Sequence, residues 1–278
     1  MTTKGKKITL FLMDGSANGR IMCELSNWSG KAYKIPRNML KASYDRDDLS
    51  HTGVYVLFGK NDAGESLAYI GEAENIIQRL LQHLKEEYWN EVIIFISKDN
   101  NLNKAHIKYL ENRLYELAMK ANRYILQNKN TPTKSNISEP DQAEMEEFID
   151  NLKLLVNTLG HRLFEPIAES IGTSSDNNIF SIERKCIYAK GKPTNEGFVV
   201  FQGANVAPKL GAVNTSIIKL RERLVAEGII KTEGDKVCFV QDYIFSSSSS
   251  AATIVLGVSA NGRKEWKSNG KSLGDLEK

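Results

Sequence analysis

Between Thr52 and Leu84, two β-type segments that each carry a tyrosine run straight into one amphipathic helix, and no other stretch constrains the fold as much. The first segment, Gly53-Val54-Tyr55-Val56-Leu57-Phe58, is a β-branched and aromatic run suited to a pleated surface. Asn61, Asp62 and Gly64 favour a turn after it, and Leu67 to Ile70 reads as the returning strand. The resulting hairpin brings Tyr55 and Tyr69 into one neighbourhood. After Gly71, Ile76, Ile77, Leu80, Leu81 and Leu84 recur at helical spacing. Asn75, Arg79 and His83 stand four apart and line another side of the same helix, starting beside Tyr69. A solvated helix face could carry these residues, but so could a phosphate site. An arginine holds phosphate by a bidentate fork, and a histidine exchanges hydrogen bonds with a phosphate oxygen or a water.

Glu91 to Ile96 reads as a buried strand. The helix after it has apolar positions Ile107, Leu110, Leu114, Leu117, Ala118 and Ala121, and Glu111 lies inside that stripe. A carboxylate on the core-facing side of a helix is costly unless paired or bound to a cation. Arg79 or Arg113 could pair it, or a hard divalent cation could take its oxygens.

This constellation resembles the GIY-YIG nuclease family, whose members hydrolyse phosphodiesters in DNA. The resemblance covers residues 52 to roughly 130. It implies a catalytic set of Tyr55, Tyr69, Arg79, His83 and Glu111, with DNA as the partner. One of the tyrosines would help deprotonate the attacking water. Arg79 would stabilise charge developing on the phosphorane, and His83 would assist at the scissile phosphate or leaving group. Glu111 would hold a magnesium or manganese ion, and no small-molecule cofactor is implied. Asn75 would touch the nucleic acid. The family commonly has an asparagine near the module's end, for which Asn128 and Asn130 are both candidates. One residue departs from the pattern of the family's excision-repair nucleases, where a lysine follows the second motif. Here it is Glu72, which places a negative charge near the DNA path and leaves the identity of the base open.

The flanks divide the chain further. Residues 1–50 read as a β-rich extension: Ile8 to Met13, turn signals at Asp14-Gly15 and Asn18-Gly19, then Ile21 to Leu25, with Trp28 and Tyr33 packing on the hairpin. The nuclease-like domain takes 51–135 and a helical linker 136–178. In that linker a helix over Gln142 to Leu159, preceded by Pro140 and Asp141, leads into a polar stretch, Gly172 to Asn178. Residues 179–278 form an α+β domain, a candidate for target recognition, so the whole chain is expected to be α+β. This last part resembles a domain of unknown function often appended to GIY-YIG modules, and its end resembles the domain associated with restriction-type adenine methylases. Ser246 to Ser250 reads as a helix start, with Gly257 closing the helix. Arg263, Lys264 and Lys267 surround Trp266, a pattern that suits nucleic-acid contact or, equally, a packed tryptophan with solvated charges. The helix Ile217 to Leu224, with strands after it over 229 to 240, is a weaker candidate for groove binding.

Composition sets outer limits. A chain of 278 residues with 41% hydrophobic content can bury cores for two or three small domains. No apolar run approaches the ~18 residues of a membrane span, and the N-terminus reads as a strand and not as a signal peptide. Three scattered cysteines, Cys23, Cys186 and Cys238, make neither a disulfide framework nor a zinc knuckle, which points to the reducing cytoplasm. Net charge +3 permits nucleic-acid binding without demanding it. The expected function is a metal-dependent DNA endonuclease. The alternatives are a catalytically inactive DNA-binding adaptor with the same fold, or a nuclease selective for modified DNA or RNA. The sequence leaves the oligomeric state open.

Overall fold

Three antiparallel strands, β1 (Ile8–Leu12), β2 (Ile21–Leu25) and β3 (Gly30–Pro36), open the chain. They continue into the same sheet as β4 (Gly53–Lys60) and β5 (Ser66–Ala73), so residues 1–50 do not stand apart from the tyrosine hairpin. Helix α1 (Ile76–His83), strand β6 (Trp89–Ser97), helix α2 (Lys104–Ala121), the short β7 (Ile125–Leu126) and helix α3 (Glu139–Thr158) complete this part. The sheet order is β1-β2-β3-β6-β4-β5-β7, and only the β5–β7 pair is parallel. The computed structural model describes residues 5–62, 64–166, 179–184, 187–194, 196–234 and 236–276. The chain divides into two compact units, Met1–Pro166 and Ile167–Lys278, and both mix helices with sheets, which makes the protein α+β. The expected polar linker Gly172 to Asn178 and Cys186 fall outside the described residues.

Strand alternation decides what each face of the large sheet carries. Val54, Val56 and Phe58 of β4 join Ala68, Ile70, Ile93 and Phe95 in a core closed by α2 and α3. Tyr55 and Leu57 point the other way, into a second core with Ile94, Ile96, Trp89 and the α1 residues Ile76, Ile77 and Leu80. A strand buried on both faces reads as a continuous apolar run, and β4 does so. Tyr33 belongs to the second core, and Trp28 packs on Phe148 of α3 with ring centroids 4.9 Å apart. The α3 helix begins earlier than its periodicity indicates because Ser138 caps it, accepting from the Asp141 N–H at 3.3 Å.

Among the described residues the second unit holds two sheets. One has the order β14-β10-β9-β8-β15-β16, built from β8 (Phe180–Arg184), β9 (Ile187–Thr194), β10 (Gly197–Val200), β14 (Tyr243–Phe245), β15 (Lys267–Ser268) and β16 (Lys271–Ser272). The other pairs β11 (Asn205–Val206), β13 (Lys236–Phe239) and β12 (Ile230–Glu233). Helices α4 (Thr215–Ala226), α5 (Ser248–Leu256), α6 (Gly262–Glu265) and α7 (Leu273–Leu276) accompany them. The serine run does start a helix. Ser247 accepts from the Ser250 N–H at 3.1 Å, and Gly257 ends α5 at φ 71°. Arg221 is buried and, among the described residues, bonds the carbonyls of Ala207 at 2.9 Å and Ile254 at 3.3 Å near the α5 C-terminus, where a cation is favoured. Cys23 and Cys238 are both buried thiols, and burial pushes Cys23 up to about 11. Among the described residues no helix is long and apolar enough to cross a membrane.

Candidate active site

The β4–β5 register sets Tyr55 opposite Gly71 and Tyr69 opposite Leu57. The two rings lie on one sheet face with centroids 6.3 Å apart. Gly71 makes this possible. A Cβ there would stand 2.5 Å from the Tyr55 Cζ and hydroxyl oxygen and 2.9 Å from Tyr69 Cε1, so any side chain would collide with both rings. Helix α1 crosses the same face. Its His83 ring centroid is 5.0 Å from that of Tyr69 and 5.6 Å from that of Tyr55.

His83 is buried, and its two ring nitrogens have different partners. Nδ1 lies 3.1 Å from the Glu86 carboxylate, and Nε2 lies 2.8 Å from the Tyr55 hydroxyl. A carboxylate can only accept, so it assigns the Nδ1 proton and leaves Nε2 to accept from Tyr55. Desolvation holds His83 below its ordinary pKa, Glu86 opposing, so the neutral ring is the resident form near neutral pH. Burial, then the nearby Tyr69, raise the Tyr55 phenol well above its usual range, while Arg79 pulls it down. Arg79 is exposed and donates to Gln82 at 2.9 Å; its own pKa is raised because Tyr55 and Tyr69 outweigh the cost of desolvation.

The three polar residues of α1 therefore do not form one line of ligands. Asn75 is the N-cap, its side-chain oxygen accepting from the Gln78 N–H at 3.1 Å. Arg79 faces solvent beside the two phenols. His83 is buried, as Tyr55 is, and its Nε2 lies against the Tyr55 hydroxyl. Its geometry suits a proton acceptor for Tyr55.

Glu111 on α2 is half-buried and makes neither a hydrogen bond nor an ion pair among the described residues. Both pairings open to it from the sequence are taken up elsewhere: Arg113 binds Glu146 and Glu116, each at 2.6 Å, and Arg79 binds Gln82. Burial, then the charge of Glu72, push Glu111 up to about 7, with Lys104, Arg79 and Lys108 opposing. Glu72 itself is held by Lys104 at 3.2 Å, which also reaches Glu74 at 3.4 Å, so its charge is partly answered. A carboxylate without a partner among the described residues, in a half-buried place, fits a hard divalent cation, which would relieve its burial. Among the described residues no group of three or more His, Cys, Asp or Glu side chains surrounds such an ion. A cation here would be held by Glu111, with water and substrate oxygens for the rest. Magnesium accepts that kind of sparse protein set.

Several residues around the tyrosines were not singled out by the sequence. Glu86 and Tyr88 follow α1 in a stretch that reads only as a polar connection. The Tyr88 hydroxyl is buried without a hydrogen-bond partner, and burial followed by the Glu86 charge raises its pKa. The segment is tied down from outside: Arg37 donates to the Leu84 carbonyl at 2.8 Å and to the Glu86 carbonyl, and stacks 4.8 Å over Trp89. Trp89 in turn donates to the His83 carbonyl at 2.9 Å. Asn128 is distinguished from Asn130. It accepts from Ile70 N–H at 3.1 Å and donates to Ile70 C=O at 2.7 Å, extending the ladder beside Tyr69, whereas Asn130 is exposed.

In the second unit, Arg263, Lys264 and Lys267 are exposed, but Trp266 is not available to stack on a base. It is fully buried, lies 4.5 Å from Phe198 ring to ring, and donates to the Ser248 carbonyl at 3.0 Å. An indole with its one donor satisfied inside is a core residue. Residues 180–277 match a family described as a domain of unknown function (DUF4357), consistent with the C-terminal domain of unknown function that the sequence resembles. No curated protein matches the chain, and no solved structure does.

Proposed function

We propose that the protein is a metal-dependent endonuclease that hydrolyses phosphodiester bonds in DNA through a GIY-YIG-type site on the β4–β5–α1 face. One observation carries the reading: the half-buried Glu111, with no hydrogen-bond or ion-pair partner among the described residues, has its pKa raised by burial and then by Glu72, and one of the cations that oppose the shift, Arg79, also sits against Tyr55 and Tyr69. Perturbed ionisable groups gathered at one place are what phosphoryl chemistry requires, and they are costly to keep for stability alone.

The proton steps follow from the hydrogen bonds. A free tyrosinate at Tyr55 is disfavoured by burial, so the phenol acts as a relay. The attacking water gives its proton to the Tyr55 oxygen as the Tyr55 proton passes to His83 Nε2, 2.8 Å away. Glu86 steadies the imidazolium that forms and keeps the ring from turning. Arg79, exposed at the mouth, takes the phosphate oxygens and offsets the charge that grows on them. Tyr69, half-buried beside it, offers a hydroxyl to the same phosphate. A magnesium or manganese ion on Glu111 supplies Lewis-acid stabilisation of the phosphate and leaving oxygen when bound. The C-terminal unit contributes DNA affinity through Arg263, Lys264 and Lys267.

A second reading has one observation in its favour. Glu72 and Glu74 hold Lys104 at the edge of the site, which leaves negative charge near the substrate path. On that reading the fold binds DNA without cutting it. Plasmid cleavage in magnesium, with and without Glu111, separates the two: cutting that depends on both supports the nuclease, and a gel shift without cutting supports the binding platform.

A further inference from the structure

One face of the larger C-terminal sheet is cationic and carries an exposed aromatic ring. Alternation along the strands turns Phe180, Ile182 and Ala189 into the core of this unit and leaves Ser181, Glu183, Tyr188, Lys190 and Lys192 on the other face. The register fixes their neighbours. Lys190 of β9 lies opposite Ser181 of β8, and Ser181 lies opposite Lys267 of β15. Two lysines therefore flank a serine in one row, about 10 Å apart across two strand spacings. Lys192 stands one step along β9 on one side of this row, and Tyr188 one step along on the other. Tyr188 is 43% exposed, and Lys190 Nζ lies 5.8 Å from its ring centroid. Among the described residues, no hydrogen bond or ion pair engages the Tyr188 hydroxyl or the ammonium groups of Lys190, Lys192 and Lys267. Two acids border the patch, and neither answers these lysines. Glu183 lies opposite Tyr188 and accepts from Ser181 Oγ at 3.5 Å, and Asp275 accepts from Ser272, the residue opposite Lys267, at 2.6 Å. Residues 179–278 hold 15 Lys and Arg against 10 Asp and Glu, a larger positive balance than the +3 of the whole chain.

We propose that this face binds a single strand of nucleic acid, with the lysines on its phosphates and Tyr188 stacked on one of its bases, which rests on DNA being the partner and adds the form of it that this unit takes. Ring and cations divide the work by charge. Glu183 beside Tyr188 repels a phosphate, whereas the uncharged face of a base meets no such penalty. The phosphate of a base stacked on the ring then falls toward Lys190, the cation nearest that ring. Lys192 and Lys267 extend the cationic surface along the strand and across the sheet, and the small Ser181 leaves the space between the two lysines of the row open. A duplex keeps the faces of its bases stacked inside and offers an exposed ring nothing to cover, so the aromatic residue selects an unpaired strand.

Fluorescence anisotropy of the full chain in EDTA, where metal-dependent cutting is suppressed, tests this with an oligothymidine of about 20 nucleotides and a duplex of the same length. The single strand is expected to bind at least about tenfold more tightly. Tyr188→Ala is expected to weaken that binding by about fivefold or more, as loss of one base stack requires, and to leave duplex binding within about twofold. Tyr188→Phe keeps the ring and is expected to bind within about twofold of wild type. Lys190→Ala and Lys267→Ala are each expected to reduce the salt slope of single-strand binding by about 0.7. Tyr188, Lys190 and Lys267 are exposed, so the variants keep the wild-type circular dichroism. Equal affinity for duplex and single strand overturns the proposal. So does a Tyr188→Ala variant that binds like wild type, or a Tyr188→Phe variant as weak as Tyr188→Ala. An oligouridine bound as well as the oligothymidine supports the stacking face and widens it to RNA, because neither the ring nor an ammonium group reads the sugar. Plasmid cleavage in magnesium, scored separately, keeps the two readings apart. A chain that cuts but does not prefer the single strand sinks this inference alone, and one that prefers the single strand but never cuts sinks the nuclease alone.

Discussion

The Tyr55 hydroxyl stands 2.8 Å from His83 Nε2, with both side chains buried and the other His83 nitrogen 3.1 Å from Glu86. This relationship links a strand residue to the last turn of the next helix and makes the tyrosine more than a core aromatic. A phenol whose pKa burial has raised cannot serve as a resting anion, but it can pass a proton to a neutral imidazole already aligned to take it. Tyr55→Phe keeps the ring and removes the relay. It is expected to lower the cleavage rate about 10²–10⁴-fold while leaving DNA affinity within twofold, measured by single-turnover cleavage and by titration of labelled DNA.

Glu86 acts on the reaction only through His83. Because Glu86 raises the His83 pKa against desolvation, Glu86→Gln lets it fall further. The acid limb of the rate profile due to His83 is then expected to move to lower pH, with a smaller rate loss than in Tyr55→Phe. A rate loss with no displacement of the limb contradicts the positioning role.

Glu111 links metal binding to pH. Its carboxyl titrates at about 7, so below that value a proton competes with the cation. The half-saturating magnesium concentration for cleavage is expected to rise about fivefold from pH 7 to pH 6 and to fall by no more than about twofold from pH 7 to pH 8. The same group destabilises the metal-free fold as pH rises. Its folded pKa lies above the unfolded one, so stability falls between the ordinary carboxylate range and about 7 and stays reduced above it. Glu111→Gln is therefore expected to raise the melting temperature in EDTA at pH 8. The gain is on the order of 1 kcal/mol after allowance for partial exposure, or a few degrees in thermal melts. A glutamate that merely capped a salt bridge would give the opposite sign.

Gly71→Ala tests the space shared by the two phenols. A Cβ 2.5 Å from the Tyr55 ring forces one ring or the strand to move. Overpacking of this kind costs about 1–3 kcal/mol, and here it is also expected to abolish cleavage. Wild-type activity in this variant would show that the tyrosine positions are not critical.

In the C-terminal unit, charge and core separate. Replacing Arg263, Lys264 and Lys267 by alanine is expected to leave the fold intact and to reduce the salt dependence of DNA binding by about one unit of slope per lost phosphate contact. Trp266→Ala is expected to cost about 3–5 kcal/mol, because it empties the core beside Phe198.

What the chain disclosed in advance, and what it withheld, follows physical lines. Continuous apolar β-branched runs made β4 and β6 plain, and helical spacing made α1 and α2 plain. The site was less legible wherever a role depends on a distant partner. Position alone put Asn75, Arg79 and His83 on one line, yet Asn75 is spent on capping the helix, and His83, seven residues after Ile76, falls on the buried face of α1 against Tyr55. Glu86 and Tyr88 lie in an aperiodic connection, and only the hold of Arg37 and Trp89 on that segment brings them to the site. Trp266 had the composition of a nucleic-acid contact, but an indole beside Phe198 gains more from burial than from solvent. The three leading strands looked like a separate piece because β3 meets β6, a strand more than fifty residues away, and local periodicity carries no information about such pairing.

The central claim is that Glu111 and the Tyr55 face together hydrolyse DNA. Supercoiled plasmid incubated with the full chain in magnesium or manganese, beside Glu111→Gln and beside an EDTA control, tests it most directly. Nicked or linear product from the wild type, lost in both the variant and EDTA, is the predicted result. A wild-type protein that shifts the plasmid in a gel but leaves it supercoiled in either metal contradicts the account and leaves a DNA-binding fold in its place.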